Sequence, residues 1–208
     1  MHTEQFDPFV SEWTAFSKNS NYNLIEKCLK LAQILEYHDL DISKYIKKIN
    51  EIGNSLSLKI NEIKNPTYLI SMLNEYLFDE LGFRGAEEDY YDPGNSFLNV
   101  VFDKKTGIPI TLSIIYAEVA KNIGLDLQIV GFPGHVIVKY KNEIILDPFY
   151  RGRLLTIDNL EEILDRNFGD GVEFIPEYLN EATTEQLLTR LLRNLKNSYT
   201  QSYAYDKA

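Results

Sequence analysis

One long apolar segment followed at once by three short β-like segments constrains the fold of this chain most. Residues 110–123 are strongly apolar, which predicts a buried helix, and Gly124 is the residue expected just past its end. Three short runs rich in β-branched residues follow, and glycine and proline separate the first two: 127–130, 135–140 and 143–146. The pattern therefore predicts an α+β fold, in which a central helix packs on a small antiparallel sheet.

The N-terminal part of the chain is predicted to be helical. Apolar residues recur at intervals of three and four in residues 24–35, as on one face of an amphipathic helix. Asp41 or Ser43 can cap a second helix, because either side chain can accept a hydrogen bond from a backbone N–H of the first turn. Pro66 suits the start of a third helix and Gly82 its end.

The segments around the predicted core have distinct characters. Residues 84–99 are acidic and rich in turn-forming residues, which predicts a long ordered loop of the kind that is often functional. After residue 157 the pattern returns to helix, with Asp158 as the expected cap of residues 160–166 and a basic amphipathic helix at 184–199. These patterns predict an N-terminal helical region, a core and C-terminal helices packed into one compact unit: 1–83, 84–156 and 157–208.

Composition excludes several classes of protein. The 208 residues include 21 Lys and Arg against 31 Asp and Glu, and the resulting net charge of -10 argues against a nucleic-acid partner. No stretch is long and apolar enough to span a membrane, and the N-terminus lacks a signal-peptide pattern, so a cytoplasmic protein is expected. Cys28 is the only cysteine, which excludes intrachain disulfides and cysteine-rich zinc sites. A monomer is the simplest expectation for the oligomeric state.

A histidine and an aspartate are predicted to meet across a β-hairpin. If Lys139 pairs with Glu143, every apolar residue of the two strands faces an apolar partner and His135 faces Asp147. A shift by one residue would place Asp147 opposite Val136 and would need a two-residue turn with a different sequence. A carboxylate beside an imidazole orients the ring as a general base, although such a pair can also simply close a sheet edge.

Several motifs, in order from about residue 69 onward, resemble the bacterial SirB-type branch of the transglutaminase-like proteins, which are relatives of papain. Active members of this superfamily use a Cys–His–Asp triad, in which the cysteine lies at the N-terminus of the central helix. The resemblance therefore implies catalytic or vestigial roles for His135 and Asp147. The motifs that carry it are residues 92–93 (DP), 95–99 (NSFLN), 107–113 (GIPITLS), 131–135 (GFPGH), 146–149 (LDPF) and 191–196 (LLRNLK).

The nucleophile of the triad does not carry over to this chain. The cysteine position falls at about Pro109 or Ile110, and Cys28 lies on an apolar helix stripe that is typical of a core residue. Thr111 and Ser113 are the nearby hydroxyls, and each can act either as a nucleophile or as a local cap of the helix.

Two functional hypotheses follow from the missing thiol. The leading one is a non-catalytic binding or regulatory module that recognises a peptide or protein and needs no cofactor. The alternative is a hydrolase or acyltransferase that uses Ser113 or Thr111 with His135 and Asp147. A metal site on His135, Asp147 and loop carboxylates such as Asp92 is a weaker third hypothesis, because only one histidine is available. The residues expected to line the cleft are Asp92, Asn95, Asn99, Pro109 and Gly134.

Overall fold

The computed structural model describes residues 8–19, 21–60, 65–169 and 171–208, which contain eight α-helices and six short strands. The helices are α1 (Pro8–Ser17), α2 (Leu24–Leu35), α3 (Ile42–Lys59), α4 (Pro66–Asn74), α5 (Leu98–Lys104), α6 (Pro109–Lys121), α7 (Ile157–Phe168) and α8 (Thr184–Gln201). The strands are β1 (Arg84–Gly85), β2 (Thr106–Gly107), β3 (Gln128–Val130), β4 (Ile137–Tyr140), β5 (Ile144–Asp147) and β6 (Arg153–Leu154). A π-helical turn, Glu75–Glu80, extends α4, and 3₁₀ turns occur at Pro93–Ser96, Pro148–Tyr150 and Pro176–Leu179. None of the helices in these ranges is both long and apolar enough to cross a bilayer.

The central helix α6 is enclosed on almost all sides. Of its 13 residues, only Glu118 and Lys121 are not buried. The helices α2, α3 and α4 pack against it, and β3 and β4 of the sheet do so as well. This enclosure explains why its sequence is apolar all round rather than along one stripe. The predicted α+β fold, a central helix on a small antiparallel sheet, is thus confirmed.

The main sheet is antiparallel, with the strand order β3-β4-β5-β6. A separate two-stranded parallel sheet joins β1 to β2 just before α6 begins. At the β3 edge, Val130 forms a bridge with Glu181, and the backbone N–H of Ala182 donates to the carbonyl of Ile129 over 2.9 Å. At the opposite edge, β6 pairs with β5 and with no other strand of the described ranges.

The predicted hairpin register is wrong by two residues. Tyr140 pairs with Ile144 and Val138 with Leu146, so Glu143 belongs to the turn and does not face Lys139. A slip of two residues keeps every side chain on its predicted face of the sheet, because side chains alternate with a period of two. Cross-strand matching favours the predicted one of the two registers, because the observed register places Lys139 opposite Ile145. The turn decides between them, with Lys141 in the left-handed region at φ 53°.

The N- and C-terminal helices share the core of the central region. One continuous cluster of buried apolar side chains runs from Ile25 in α2 to Tyr199 in α8, and a smaller cluster lies beneath α7. The cap of α3 is Asp41. The cap of α7 is Thr156 and not Asp158, because the extended backbone at Thr156 lets its hydroxyl accept from the backbone N–H of Asn159. The division at residues 83 and 156 stays a prediction.

Cys28 lies in the core, where its side chain contributes to packing. The residue is 2% exposed, and burial raises the pKa of its thiol from 9.0 to about 12, because a thiolate among apolar neighbours loses its hydration. We expect the native protein to resist alkylation by iodoacetamide at pH 8, whereas protein unfolded in guanidinium chloride should react readily. Rapid alkylation of the native protein would contradict this placement.

The raised pKa of Cys28 also predicts how stability depends on pH. The unfolded thiol ionises near pH 9 and the folded one near pH 12. The folded state therefore retains more protons in this window, and the free energy of unfolding should fall as the pH rises through it. A Cys28→Ala variant should show a shallower fall than the wild type in urea titrations between pH 8 and 11. Because both proteins contain the same tyrosines, the difference between them reports Cys28 alone.

Candidate functional site

His135 and Asp147 form a hydrogen-bonded pair that joins the turn before β4 to the end of β5. The imidazole Nε2 lies 2.9 Å from Oδ2 of Asp147, and Oδ1 accepts the backbone N–H of Phe149 over 3.0 Å. Asp147 is completely buried, whereas the side chain of His135 is 13% exposed. If the proton is assigned to Nε2 because a carboxylate accepts there, Nδ1 is left as an unprotonated acceptor.

The corrected register explains how this pair still forms. Extending the observed pairing would place Ile137 opposite Asp147, so His135 lies two residues beyond the residue directly opposite. Such diagonal neighbours share one face of a sheet and lie within reach of a long side chain. The His135–Asp147 contact therefore survives a two-residue slip, although a one-residue slip would have removed it.

Two C-terminal helices hold the turn that carries His135. Gly134 has φ +73°, and a Cβ atom there would lie 2.5 Å from the side chain of Asn167 in α7. The carbonyl of Phe132 accepts the backbone N–H of His135 over 3.1 Å and also Nη1 of Arg190 in α8 over 2.8 Å. The turn is thus held from two sides, and only glycine fits at position 134 without displacing a neighbour.

His135 lies in a cavity of about 690 Å³, which we call the cleft. It is lined by the histidine pair, by Phe149 and Tyr150, and by residues of α7 and of the loop before α5. The residues that α7 contributes recur at helical spacing, so one polar side of α7 faces the cleft. The lining residues are Glu87, Tyr90, Tyr91, Pro109, Gly134, His135, Asp147, Phe149, Tyr150, Arg153, Asn159, Glu162, Ile163, Arg166 and Asn167.

Aromatic rings surround the imidazole. The ring of Tyr150 lies nearly parallel to that of His135 with 6.4 Å between centroids, and Phe149 meets it edge-on at 6.2 Å. Tyr90 packs against Phe149, and burial raises the pKa of its phenol, an effect that the nearby Arg190 guanidinium partly opposes. Tyr91 is 55% exposed at the rim. The cleft therefore offers one largely aromatic side and one polar helical side.

Two of the five residues predicted to line the cleft do so, Pro109 and Gly134. The side chain of Asp92 caps the following 3₁₀ turn and pairs with Lys104 at 3.4 Å, outside the cleft lining. Asn95 donates to the carbonyl of Asp89 over 2.6 Å, and Asn99 is buried. The loop folds into a 3₁₀ turn and the start of α5, and this local structure uses the side chains of Asp92 and Asn95.

The two hydroxyls near the start of α6 bond to the backbone. The hydroxyl of Thr111 lies 2.9 Å from the carbonyl of Asn95 and accepts the backbone N–H of Ile108 over 3.1 Å, which is a local capping contact. The hydroxyl of Ser113 lies 3.4 Å from the carbonyl of Val136. Both side chains are completely buried, and neither belongs to the cleft lining.

The described residues contain no group of three His, Cys, Asp or Glu side chains close enough to hold a metal ion. Asp92, the third ligand in the metal hypothesis, pairs with Lys104 instead. A metal site on His135, Asp147 and Asp92 therefore has no geometric support in this structure.

Several residues that line the cleft could not be singled out from the sequence. Arg153, Tyr150 and the polar side of α7 are among them. The spacing of Asn159, Glu162 and Arg166 marks one face of a helix, but an exposed polar face is the usual property of any surface helix. Tyr90 and Tyr91 lie within the loop that was predicted to be functional, and two adjacent tyrosines there were the available signal.

The fold and the site together define a class of protein. The buried central helix begins at Pro109 beside a histidine–aspartate pair at one end of an antiparallel sheet, which is the arrangement expected of a transglutaminase-like protein. The model of the transglutaminase-like superfamily matches residues 43–193. The chain belongs to this superfamily, and the resemblance seen in its motifs is confirmed.

Curated relatives occur in bacteria and in mammals. A UPF0162 protein of Xylella fastidiosa (strain 9a5c) is 36% identical over 179 residues, which cover 83% of this chain and 64% of that protein. A UPF0162 protein of Haemophilus influenzae is 28% identical over 142 residues, or 67% of this chain and 53% of the relative. F-box only protein 21 of Homo sapiens is 29% identical over 143 residues, or 61% of this chain and 23% of the relative. The chain thus spans less than two thirds of each relative's length, and no solved structure matches it.

The turn before His135 can be tested with a pair of glycine variants. Gly134 and Gly82 have nearly the same φ, +73° and +74°, but nothing lies within 4 Å of a Cβ atom at position 82. In each alanine variant the free energy of unfolding should fall by about 1–2 kcal/mol, because alanine is disfavoured in the left-handed backbone conformation. For Gly134→Ala the free energy of unfolding should fall by about 1–3 kcal/mol more, because the new Cβ atom would clash with Asn167. Urea denaturation measures both losses, and equal losses would contradict the close approach of α7 to the turn.

Proposed function

We propose that the protein is a binding or regulatory module that recognises a peptide or protein segment in the cleft without thiol catalysis. The observation that carries the proposal is the position of Pro109. This residue begins α6 and lines the cleft with His135, at about the position where the resemblance places a nucleophilic cysteine. The only thiol, Cys28, is buried in the core, and its raised pKa keeps it neutral. The histidine–aspartate pair is retained without a thiolate for it to activate.

The chemistry of the cleft suits a peptide ligand. Its volume of about 690 Å³ is within the range of small-ligand sites, so it accommodates a few residues and not a whole domain. Exposed tyrosines supply large contact areas at a low cost in side-chain entropy. The free Nδ1 of His135 accepts a hydrogen bond, which a backbone or side-chain N–H of a peptide can donate.

The contacts of the two hydroxyls favour binding over hydroxyl-based catalysis. Thr111 and Ser113 are completely buried, and their hydroxyls bond to backbone carbonyls. A serine or threonine nucleophile needs an open approach to the substrate and a general base within hydrogen-bonding distance. The hydrolase or acyltransferase alternative stays a prediction.

Selection of linear 12-residue peptides displayed on phage tests the binding proposal. We expect the wild-type protein to enrich a family of related peptides. Tyr91→Ala should weaken binding of a selected peptide by about tenfold or more, because a ring at the rim would lose its contact area. Tyr205→Ala provides a matched control, since this tyrosine is 64% exposed, compared with 55% for Tyr91, and lies outside the cleft lining. Fluorescence polarisation gives the dissociation constants.

Two results would overturn the binding proposal. One is that the library yields no enriched peptide. The other is that Tyr91→Ala and His135→Ala bind a selected peptide as tightly as the wild type does, which would place the binding site outside the cleft.

A fluorophosphonate probe separates binding from catalysis. The probe phosphonylates serine hydroxyls that a nearby base activates. We expect intact-mass spectrometry to show no adduct on the wild-type protein, because both candidate hydroxyls are buried and bonded to the backbone. An adduct that disappears in Ser113→Ala or Thr111→Val, and also in His135→Ala, would establish the hydroxyl alternative.

A further inference from the structure

The free edge of the main sheet lies beside the cleft. Residues 181 and 182 cover the β3 edge through the Val130–Glu181 bridge, whereas β6 pairs only with β5 among the strands of the described ranges. Arg153, the first residue of β6, lines the cleft. The open edge of the sheet therefore adjoins the cleft.

Leu154 points its backbone hydrogen-bonding groups towards this edge. The backbone N–H of Leu155 donates to the carbonyl of Ile145 over 2.9 Å, so these two residues form a bonded pair of the ladder. Bonded and non-bonded pairs alternate in an antiparallel ladder, and the next pair is Leu146 with Leu154. The N–H and C=O of Leu154 therefore point away from β5. No bond from a described residue outside the ladder reaches either group, and the residue is 63% exposed.

Arg153 lies on the cleft side of β6 without an ion-pair partner. Its guanidinium is 5.6 Å from the centre of the Tyr150 ring, and no carboxylate of the described residues lies within 4.0 Å of its nitrogens. The residue directly across the ladder is Asp147, whose oxygens contact His135 and the backbone of Phe149. A residue placed opposite Arg153 on an added strand would share its side of the sheet, where an opposite charge is favourable.

We propose that the ligand is an extended peptide that adds to the sheet at β6, with one acidic side chain facing Arg153. The proposal rests on the proposed function and specifies how the peptide binds. The N–H and C=O of Leu154 supply two backbone hydrogen bonds, and the strand carries the neighbouring side chains into the cleft. Because β6 is only two residues long, these side-chain contacts supply the rest of the affinity. The chain's net charge of -10 repels a polyacidic segment, so one acidic residue is expected and not a run of them.

A scan of N-methylated peptides tests the added strand without altering the protein. A selected phage peptide is synthesised in versions that each carry one N-methyl group, which removes one backbone donor. We expect methylation of the residue that bonds to Leu154 to weaken binding by about tenfold or more, while methylation of its two neighbours has little effect. Uniform tolerance along the peptide would overturn the added strand.

Variants of β6 provide an independent test. Leu154→Pro removes the outward N–H, whereas Leu154→Ala keeps it and serves as the matched control. Proline is tolerated on edge strands, and thermal unfolding checks that both variants fold. The proline variant should bind at least tenfold more weakly than the alanine variant. Equal affinities of the two folded variants would overturn the role of Leu154.

Charge reversal tests the acidic side chain. Phage selection against the wild-type protein should enrich Asp or Glu at one peptide position. Selection against Arg153→Glu should instead enrich Lys or Arg at that position. Arg193→Glu is the control, because this exposed arginine of α8 lies outside the cleft lining and should leave the preference unchanged. An unchanged acidic preference in Arg153→Glu would overturn this contact.

The outcomes separate the two proposals. Suppose that peptides bind and that Tyr91→Ala weakens their binding, but that the N-methyl scan and the β6 variants have no effect. Peptide binding in the cleft then stands, and strand addition fails. If no peptide binds the wild-type protein, both proposals fail.

Discussion

Burial of α6 is the constraint on which the rest of the structure depends. A helix that is apolar on all sides is stable in water only when other elements cover it completely. Here α2, α3 and α4 cover one part of its surface and the strands β3 and β4 cover another. The same burial places the start of α6, at Pro109, next to the turn that carries His135. The core and the cleft are therefore consequences of one packing arrangement.

The geometry of the site depends on contacts that come from distant parts of the chain. Asp147 is completely buried and uses one oxygen for His135 and the other for the backbone of Phe149, so its orientation is determined on both sides. The turn before His135 is held by Asn167 from α7 and by Arg190 from α8. The C-terminal helices thus position the imidazole, although neither carries a residue of the pair itself. A buried carboxylate with both oxygens bonded is typical of a preorganised site.

Much of the fold could be predicted from the sequence, because local patterns determine it. The apolar run that became α6, the glycine after it and the three short strands lie close to their predicted positions. The pairing of His135 with Asp147 was also predicted, but through a register that is wrong by two residues. A slip of this size keeps each side chain on its face of the sheet but places Lys139 opposite Ile145, so the geometry of the turn around Lys141 decided the register against the cross-strand match. Likewise, the cap of α7 depended on the backbone conformation at Thr156, which composition does not reveal.

The sequence by itself determined which chemical groups the protein has. One cysteine on an apolar stripe, one histidine before a strand and an aspartate at the end of the next strand predicted a histidine–aspartate pair, and the resemblance to transglutaminase-like proteins implied a triad that lacks its thiol. Only the tertiary structure decided which other residues surround that pair. Asp92, Asn95 and Asn99 bond locally or are buried, while Tyr150, Arg153 and the polar side of α7 line the cleft. The physical reason is that a polar side chain on a loop or helix has many partners of similar energy, and long-range packing selects among them.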